Sequence, residues 1–507
     1  MQIVSFVQSN GRNKMPRYRC NVCHVFEYEV DRGDSSTNIK PGTYPQDFPD
    51  DWRCHICDSD KSHLKLVEEK TPQQLQEMVT CPHCGKVHTL KVMLEEEEIG
   101  GYLSRWQRNS DETEVRMADV HRMSTTNETL VEPMRTKARV ISWDDILVLG
   151  AQLARIPLNR NEPVNTTTVI GPKAKKPMVL DMPVYVSHMS FGALSRECKV
   201  ALAKGSAAVG TAIGSGEGGL IDDEFNNAYR YIFEYVPNKY CVTEENLKRS
   251  HAIEIKIGQS VKPGMGGLLP AEKVTKEIAE IRGKPEGVDI ISPASFPEIR
   301  DRVGLKKVVD MLKDVSGGRP VGIKLAAGRI EEDLAVAIYA EPDFVTLDGR
   351  PGSTGASAKF VKDSASVPTL LALHRARKFL DQQRAENVSL VVTGGLRVSS
   401  DFAKALAMGA DAVAIGTAAI MAVGCQQYRV CDSGRCPVGI TTQDPNLRAR
   451  LIVDISARKV EHFLRVSNEE LRDYARMTGN DDVHKLSTED LCTVNSEISG
   501  YTNIRHA

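Results

Sequence analysis

The sequence predicts an α/β fold, a TIM (β/α)8 barrel preceded by a small N-terminal metal-binding domain. Short apolar, β-branched runs alternate with helix-like stretches through the second half of the chain. That rhythm is typical of a parallel sheet covered by helices on both faces, and eight units over about 250 residues make a TIM barrel. The cysteines, in contrast, concentrate near the N-terminus and in one late segment. A doubly wound open sheet is the competing architecture for the strand-rich part.

Eight runs are assigned to the strands of the barrel, with helix-like segments between them at 302–314, 365–380 and 400–408. The runs are VYVSH (184–188), GTAIG (210–214), YRYIFEYV (229–236), VDIIS (288–292), VGIKLA (321–326), DFVTLD (343–348), LVVTGG (390–395) and DAVAIG (411–416).

Helices are also expected outside these eight units. An amphipathic pattern predicts helical structure around 142–153. After the barrel, residues 456–465 and 467–477 are interpreted as two helices. Ser467 and Glu470 have the spacing of a capping box, which predicts that the second helix begins there.

Composition excludes several classes of protein. Of 507 residues, 41% are hydrophobic and 26% are charged, as in ordinary globular proteins. The formal net charge of −2 gives no reason to expect a nucleic acid or an anionic membrane as partner. No apolar run reaches the roughly 18–20 residues that a membrane-spanning helix needs. The N-terminal segment lacks the order of a secretory signal, so a cytoplasmic protein is expected.

Two C-x2-C pairs near the N-terminus predict a metal site. Cys20, Cys23, Cys54 and Cys57 can place four thiolates around iron or zinc in a tetrahedral site, and spacing alone does not choose between the metals. A third pair, Cys81 and Cys84, is followed by His88. With His88 or His83 this pair could hold zinc, although no fourth ligand is evident, and a metal-free knuckle is equally compatible.

A third group of cysteines, Cys425, Cys431 and Cys436, lies within twelve residues and ends with Pro437. Such spacing is typical of iron–sulfur ligation, and three ligands favour a cluster that lacks one iron. A 4Fe-4S cluster with a non-cysteine ligand stays open, as do three buried cysteines without metal.

Glycines at the ends of the last two predicted strands indicate a phosphate site. Gly394 and Gly395 follow one strand, and Gly416 and Thr417 follow the next. In TIM barrels these two loops present backbone N–H groups to a phosphate. A phosphorylated ligand such as FMN is therefore expected. Lys324 lies inside an apolar strand, where an unpaired ammonium is costly, so a ligand contact is expected there too.

The N-terminal segment, residues 15–67, resembles rubredoxin. The resemblance rests on the four cysteines together with Tyr18, Phe26, Pro41, Gly42, Thr43, the run FPDDW (48–52) and the tail 58–61. His24 and His55 stand where rubredoxins usually have Gly and Pro, and neither change removes a ligand. The resemblance implies a mononuclear iron centre that transfers one electron, with a zinc ribbon as the alternative.

Residues from about 142 to 450 resemble the synthase domain of glutamate synthase, which carries FMN and a 3Fe-4S cluster. The shared segments are MSFGALS (189–195), GSGEGG (214–219), IEIKIGQSVKPGMGG (253–267), GSTGAS (352–357) and GCQQYRVCDSGRCPVGITTQDP (424–445). The resemblance implies that FMN is lined by Met189, Ser190, Lys324, Ser353, Gly394, Gly395, Gly416 and Thr417. It also implies a 3Fe-4S cluster on Cys425, Cys431 and Cys436, with Glu217 and Lys273 facing the oxo-acid substrate.

Two departures bear on the substrate. Leu268 replaces a glutamine of the family's GGQLPG segment, and SPASFPE (292–298) replaces SPPPHHD. In these features the chain is similar to archaeal-type glutamate synthases and to the large subunit of methylamine–glutamate N-methyltransferase. No amidotransferase domain with an N-terminal Cys nucleophile begins the chain, and the tail is short for a β-helix domain. Separate amidotransferase and β-helix subunits, in a homo- or hetero-oligomer, are therefore expected partners.

The expected organisation is a rubredoxin-like domain (15–67), a connecting region (68–140), the FMN-binding barrel (141–455) and a helical tail (456–507). The expected activity is reductive amination of 2-oxoglutarate to glutamate through 2-iminoglutarate. Electrons from an external donor would pass through the rubredoxin iron and the 3Fe-4S cluster to FMN. Formation of N-methylglutamate and a non-catalytic role in electron transfer are the alternatives.

Overall fold

The computed structural model describes residues 16–23, 26–67, 108 and 110–507. The chain divides into two compact units at the junction of Leu130 and Val131. The cysteine pair Cys81 and Cys84, for which zinc is an option, lies outside the described residues, as does most of the predicted connecting region. None of the described helices combines the length and the apolar character needed to cross a bilayer.

The first unit contains a small antiparallel sheet. Its strands are β1 (Arg17–Cys20), β2 (Glu27–Glu29) and β3 (Leu64–Leu66), with β1 in the centre. Beside the sheet, aromatic side chains pack edge-on or tilted, including Tyr28 against Phe48 at 4.8 Å between ring centroids. A short helix, α1 (Met117–Thr126), is also described in this unit.

The second unit is built on a closed barrel of eight parallel strands. Three short strands precede the barrel, namely β4 (Ile146–Val148), β5 (Thr168–Ile170) and β6 (Met178–Leu180). The barrel strands are β7 (Val184–Val186), β8 (Ala212–Gly214), β9 (Arg230–Tyr235), β10 (Ala252–Lys256), β13 (Val321–Ala326), β14 (Phe344–Asp348), β15 (Ser389–Thr393) and β16 (Ala412–Ile415). Between β10 and β13, β11 (Leu268–Leu269) pairs with β12 (Ile290–Ile291).

Helices follow the barrel strands as a TIM barrel requires. They are α2 (Arg196–Ala207), α3 (Asp222–Phe225), α4 (Glu244–Arg249), α5 (Lys276–Arg282), α6 (Arg302–Val315), α7 (Ile330–Tyr339), α8 (Lys359–Ser364), α9 (Thr369–Gln382), α10 (Ser399–Ala407), α11 (Thr417–Val423), α12 (Pro445–Arg448), α13 (Val453–Met477) and α14 (Ser496–Tyr501). Near the C-terminus, β17 (Leu491–Thr493) pairs with β4 and with β18 (Arg505–His506).

The amino-terminal end of the barrel is filled by apolar side chains. The antiparallel pair β5–β6 contributes Ile170, Met178 and Leu180 to a cluster that also holds barrel residues such as Phe344. Gly322 is needed beside this cluster, because a Cβ there would lie 2.3 Å from the Phe344 ring. Polar chemistry is therefore left to the opposite end, where the strands' carboxyl ends meet.

One predicted barrel strand is wrong. The run 288–292 supplies only the short strand β12, outside the barrel, where Ile291 is 72% exposed. The fourth barrel strand is β10, with the sequence AIEIK, which a search for apolar runs does not select. The loop that contains Lys262 therefore follows a barrel strand directly, as the other polar loops do.

Two helix predictions also need correction. Residues 142–153 form a single 3-10 turn followed by β4, not an amphipathic helix. The two helices expected after the barrel are one continuous helix, α13, in which Ser467 is buried mid-helix and caps nothing. Helix α13 packs closely on α2, since a Cβ at Gly205 would lie 2.6 Å from the Cβ of Val460.

Candidate redox and substrate sites

The four N-terminal cysteines converge on one point. The sulfur atoms of Cys20, Cys23, Cys54 and Cys57 all lie within 4.8 Å of one another. Cys20 Sγ is 3.7 Å from Cys57 Sγ, and Cys23 Sγ is 4.0 Å from Cys54 Sγ. Metal–sulfur bonds of about 2.3 Å in a tetrahedron require sulfur–sulfur separations of about 3.8 Å. The donor set therefore fits one tetrahedrally coordinated metal ion.

Neighbouring groups support these thiolates. The backbone N–H of Phe26 donates to Cys23 Sγ at 3.4 Å. The Ser59 hydroxyl lies 3.2 Å from Cys20 Sγ and 3.1 Å from Cys57 Sγ. Hydrogen bonds to the sulfurs are one of the means by which a protein sets the potential of an iron–thiolate centre.

A cavity of about 350 Å³ opens at the carboxyl ends of the barrel strands. All ten residues predicted to contact cofactor or substrate line this one cavity, and so does Cys431. They are Met189, Ser190, Glu217, Lys273, Lys324, Ser353, Gly394, Gly395, Gly416 and Thr417. The volume is of the size that small-molecule and cofactor sites have, roughly 300–1,000 Å³.

Glycines shape the wall of the cavity beside β15 and β16. Gly394 has a φ of +111°, and a Cβ there would lie 2.1 Å from the carbonyl oxygen of Gly349. A Cβ at Gly416 would instead have Met189 Sδ, at 3.9 Å, as its nearest neighbour. Gly416 thus leaves open space at the start of α11, into which a phosphate could fit.

The floor of the cavity holds a network of buried charges, of which the sequence predicted only Lys324. The Lys324 ammonium pairs with Glu234 and lies 3.8 Å from Glu254 Oε2. His188 Nε2 is 2.9 Å from the same Glu254 oxygen, and the Gly216 N–H donates to His188 Nδ1 at 3.2 Å. Lys324 thus supplies the cation that these buried carboxylates need.

The network controls the charge of its carboxylates. Burial alone would raise the pKa of Glu234, but Lys324, His188 and Lys256 together outweigh it and lower that pKa to about 2. Burial raises the pKa of Asp348, at the end of β14, to about 6, although Ser260 N–H donates to it. The floor of the cavity therefore combines a fixed anion with a carboxyl group that titrates nearer neutrality.

Glu217 lies between two cavities. Its carboxylate pairs with Lys256 of β10, and it lines both the main cavity and a smaller one of about 90 Å³. A Cβ at Gly267 would lie 2.4 Å from Glu217 Oε2, so any larger residue there would displace this carboxylate. Phe296 of the divergent segment SPASFPE lines the smaller cavity.

Three buried cations of the main cavity have no carboxylate within 4.0 Å among the described residues. Lys262 Nζ donates to the Ala356 carbonyl at 3.2 Å, and Arg282 Nη2 donates to that of Phe191 at 2.7 Å. Lys273 Nζ donates to the carbonyls of Ala193 and Cys431. Sequence reasoning assigned no role to Lys262 or Arg282. The only available signal for Lys262 was its place in the glycine-rich loop KPGMGG.

The third cysteine group occupies the loop after α11. Cys431 and Cys436 are buried, and Cys425 accepts from the backbone N–H of Gln427 at 3.4 Å and from its side chain at 3.3 Å. These three sulfurs are not among the described groups whose ligand atoms converge within 4.8 Å. A wider spacing suits a polynuclear cluster, in which each thiolate binds a different iron.

The thiols need a metal or a cation to ionise. Burial raises the pKa of Cys431 to about 11, opposed by Thr441 and Lys273. Metal binding requires the thiolate, so the buried position favours a metal-bound state over a free anion. The donor set and its surroundings fit an iron–sulfur cluster.

Comparison with known proteins agrees with this architecture. Residues 116–481 match the family model described as the conserved region in glutamate synthase, and residues 17–64 match that of rubredoxin. A glutamate synthase large subunit-like protein of Rhizobium meliloti is 35% identical over 408 residues, which cover 76% of this chain and 92% of that protein. The archaeal glutamate synthase (NADPH) of Methanocaldococcus jannaschii is 39% identical over 322 residues, covering 63% and 62%.

A TIM barrel with a polar cavity at its strand ends, joined to cysteine-rich metal sites, defines a redox enzyme. The chain belongs to the glutamate synthase family and carries a rubredoxin domain at residues 17–64. It is an oxidoreductase of that family.

Proposed function

We propose that the protein forms glutamate by reductive amination of 2-oxoglutarate through 2-iminoglutarate. One 2-oxoglutarate, one ammonia, two electrons and two protons give one glutamate and one water. A single observation carries the proposal: one cavity combines the glycine cradle, the cluster-loop residue Cys431 and buried cations without carboxylate partners.

The cavity would hold FMN. Gly394, Gly395, Gly416 and Thr417 would take its phosphate, because backbone N–H groups there are approachable without an intervening side chain. Met189, Ser190, Lys324 and Ser353 would line the remainder. When bound, FMN would supply the chemistry of accepting electrons singly and donating them as a hydride.

Lys262 and Arg282 would bind the two carboxylates of the substrate. Burial lowers the pKa of Lys262 to about 8, which leaves it largely protonated at neutral pH. A dicarboxylate would give both buried cations the anionic partner that the described chain does not supply. The same pair of contacts would orient the carbon to be reduced.

Glu217 would orient the imine nitrogen and move its proton. The pairing with Lys256 fixes the carboxylate, and Gly267 lies directly against Oε2. Lys273, predicted to face the substrate, also lines this cavity, and its Nζ donates to the Cys431 carbonyl of the cysteine loop. We therefore assign substrate neutralisation to Lys262 and Arg282.

Electrons would come from an external donor. Cys20, Cys23, Cys54 and Cys57 would hold a mononuclear iron, and Cys425, Cys431 and Cys436 would hold a 3Fe-4S cluster. Both groups would supply one-electron transfer. Cys431 lines the cavity, which makes it the cluster ligand nearest the proposed flavin. Ammonia would come from solution or from a separate amidotransferase subunit.

Formation of N-methylglutamate is a second candidate. In that reaction methylamine replaces the ammonia of glutamate, so no net electrons are needed. Leu268 favours it, because an apolar side chain lines the cavity where the family commonly has an amide. An apolar wall accommodates the methyl group of methylamine better than a wall with an amide side chain does.

Substitution of the cations tests the substrate assignment. K262M and R282M should each raise KM for 2-oxoglutarate at least about tenfold, since each loses a charged hydrogen bond worth about 1.5–3 kcal/mol. The exposed Lys307 of α6 provides a control, and K307M should leave KM unchanged. Unchanged KM in both cavity variants would remove the cations from substrate binding.

A further inference from the structure

Lys273 joins the substrate cavity to the cysteine loop. It lies on the turn Ala271–Lys273 after β11, and its side chain is only 3% exposed. Its Nζ donates to the Ala193 carbonyl at 2.7 Å and to the Cys431 carbonyl at 3.2 Å. A Cβ at Gly434 would lie 3.3 Å from Lys273 Cγ, so the cysteine loop closes over the lysine stem.

The charge of Lys273 lacks the carboxylate partner that four of the other buried lysines possess. No carboxylate of the described residues lies within 4.0 Å of its Nζ. Four other buried lysines do pair with carboxylates: Lys199 with Glu224, Lys256 with Glu217, Lys324 with Glu234 and Lys362 with Glu132. A buried ammonium is costly unless it is paired, so an anion should belong beside Lys273.

The cysteine loop surrounds much of the Lys273 side chain. The Nζ donates to the Cys431 carbonyl, and Gly434 of the same loop lies against the lysine stem. Three thiolates around an iron–sulfide core make a net negative cluster. The cluster is therefore the anion that this ammonium faces.

We propose that Lys273 is a positioning residue for the 3Fe-4S cluster, holding the Cys431 loop against the barrel and raising the cluster's reduction potential. The inference rests on the proposed function, which places the cluster on these cysteines. A nearby positive charge favours the reduced, more negative cluster, and low dielectric strengthens the effect. Lys273 also holds in place Cys431, the cluster ligand that lines the cavity. It thereby determines where electrons leave the cluster.

The test compares four full-length variants with the wild type after anaerobic loading with iron, sulfide and FMN. The readouts are iron content, the electron paramagnetic resonance signal of the oxidised cluster, and its midpoint potential in a redox titration. K273M removes the charge, K273R keeps it, and K262M removes a second buried cavity lysine, whose Nζ donates to the Ala356 carbonyl and not to the cysteine loop. The exposed-surface variant K307M controls for handling.

K273M should retain FMN and show a cluster potential shifted to more negative values, while K273R and K262M stay close to the wild type. If K273M loses the cluster outright, retention of the cluster by K273R supports the same role for the charge. An unchanged potential in K273M overturns the proposal, as does equal loss of the cluster from K273M and K273R. A wild type that takes up no cluster would instead refute the proposed function itself.

Discussion

Lys324 and Glu234 show how single residues constrain this site. Both are buried in the floor of the cavity, and each is the other's nearest ion partner. Replacing one member of such a pair leaves an uncompensated buried charge, which typically costs about 3–5 kcal/mol. The pair therefore stabilises the fold in addition to lining the cavity.

K324M should lower the free energy of unfolding by about 3–5 kcal/mol, because Glu234 then lacks its cation. Urea denaturation of the apoprotein measures this loss. The double variant K324M/E234Q should recover part of it, because the neutral amide needs no counter-charge. No recovery in the double variant would show that lost packing, and not charge, is responsible.

The same pair predicts a dependence of stability on pH. The folded-state pKa of Glu234 is lowered to about 2, while an unfolded glutamate titrates at about 4.3. Its contribution is therefore complete above about pH 4.3 and is lost as the pH falls towards 2. Unfolding free energies measured across this range should fall more steeply in the wild type than in K324M/E234Q. Equal slopes would contradict the assignment.

Gly416 and Gly394 should respond differently to alanine. G416A places its methyl group in the open cradle, so the apoprotein should keep its stability while FMN affinity falls at least about tenfold. G394A should destabilise the apoprotein itself, because its Cβ would clash with the Gly349 carbonyl at a φ of +111°. Thermal unfolding and flavin fluorescence titration separate the two effects. If G416A binds FMN tightly, the phosphate does not bind at Gly416.

At the scale of elements, β10 is the barrel strand that the sequence pattern failed to predict. Its sequence, AIEIK, contains two charged residues although the strand is fully buried. The sequence pattern therefore did not identify it as an apolar strand. Glu254 is paired through His188 and Lys324, and Lys256 through Glu217, all of which lie on other elements. The competing run 288–292 is β-branched, yet most of it is exposed. Only tertiary contacts distinguish the two.

Other parts of the site were accessible from sequence because glycine and cysteine carry positional information. The four N-terminal cysteines converge as their spacing predicted, and the glycines after β15 and β16 line the main cavity. Lys262 and Arg282 were missed because an isolated cation in a sequence is usually on the surface. Their burial without carboxylates became visible only in the folded cavity.

The contact of α2 with α13 predicts a cost for a small substitution. G205A should destabilise the protein by about 1–3 kcal/mol, because its Cβ would lie 2.6 Å from Val460 Cβ in a packed helix interface. At Gly500, in α14, an added methyl group would have nothing within 4 Å, so G500A should be neutral or slightly stabilising. Urea denaturation compares the two. Equal free energies of unfolding for the two variants would mean that α2 and α13 can move apart at little energetic cost.

The two cysteine sites should lose iron independently. C54S should remove the mononuclear iron, about one iron of about four per chain, and leave flavin and cluster in place. C431S should remove the cluster and keep the mononuclear iron. Iron analysis with optical spectra checks both variants. Loss of all iron from either one would contradict separate sites.

At the scale of the whole molecule, one chain contains both a rubredoxin domain and a glutamate synthase barrel. With the proposed cofactors bound, this chain has a one-electron centre and a two-electron site of its own. Reduction of the iron by an external donor should therefore be followed by reduction of the flavin, and C431S should interrupt that sequence.

The most direct test of the central claim is a single turnover without oxygen. The cofactor-loaded protein is photoreduced, 2-oxoglutarate is added with and without ammonium, and flavin absorbance and glutamate are measured together. We expect reoxidation of the flavin only when both substrates are present, with about one to two glutamates formed per flavin, because the reduced iron centres hold about two further electrons. Flavin that stays reduced with both substrates present, and no glutamate, would contradict the proposed reaction.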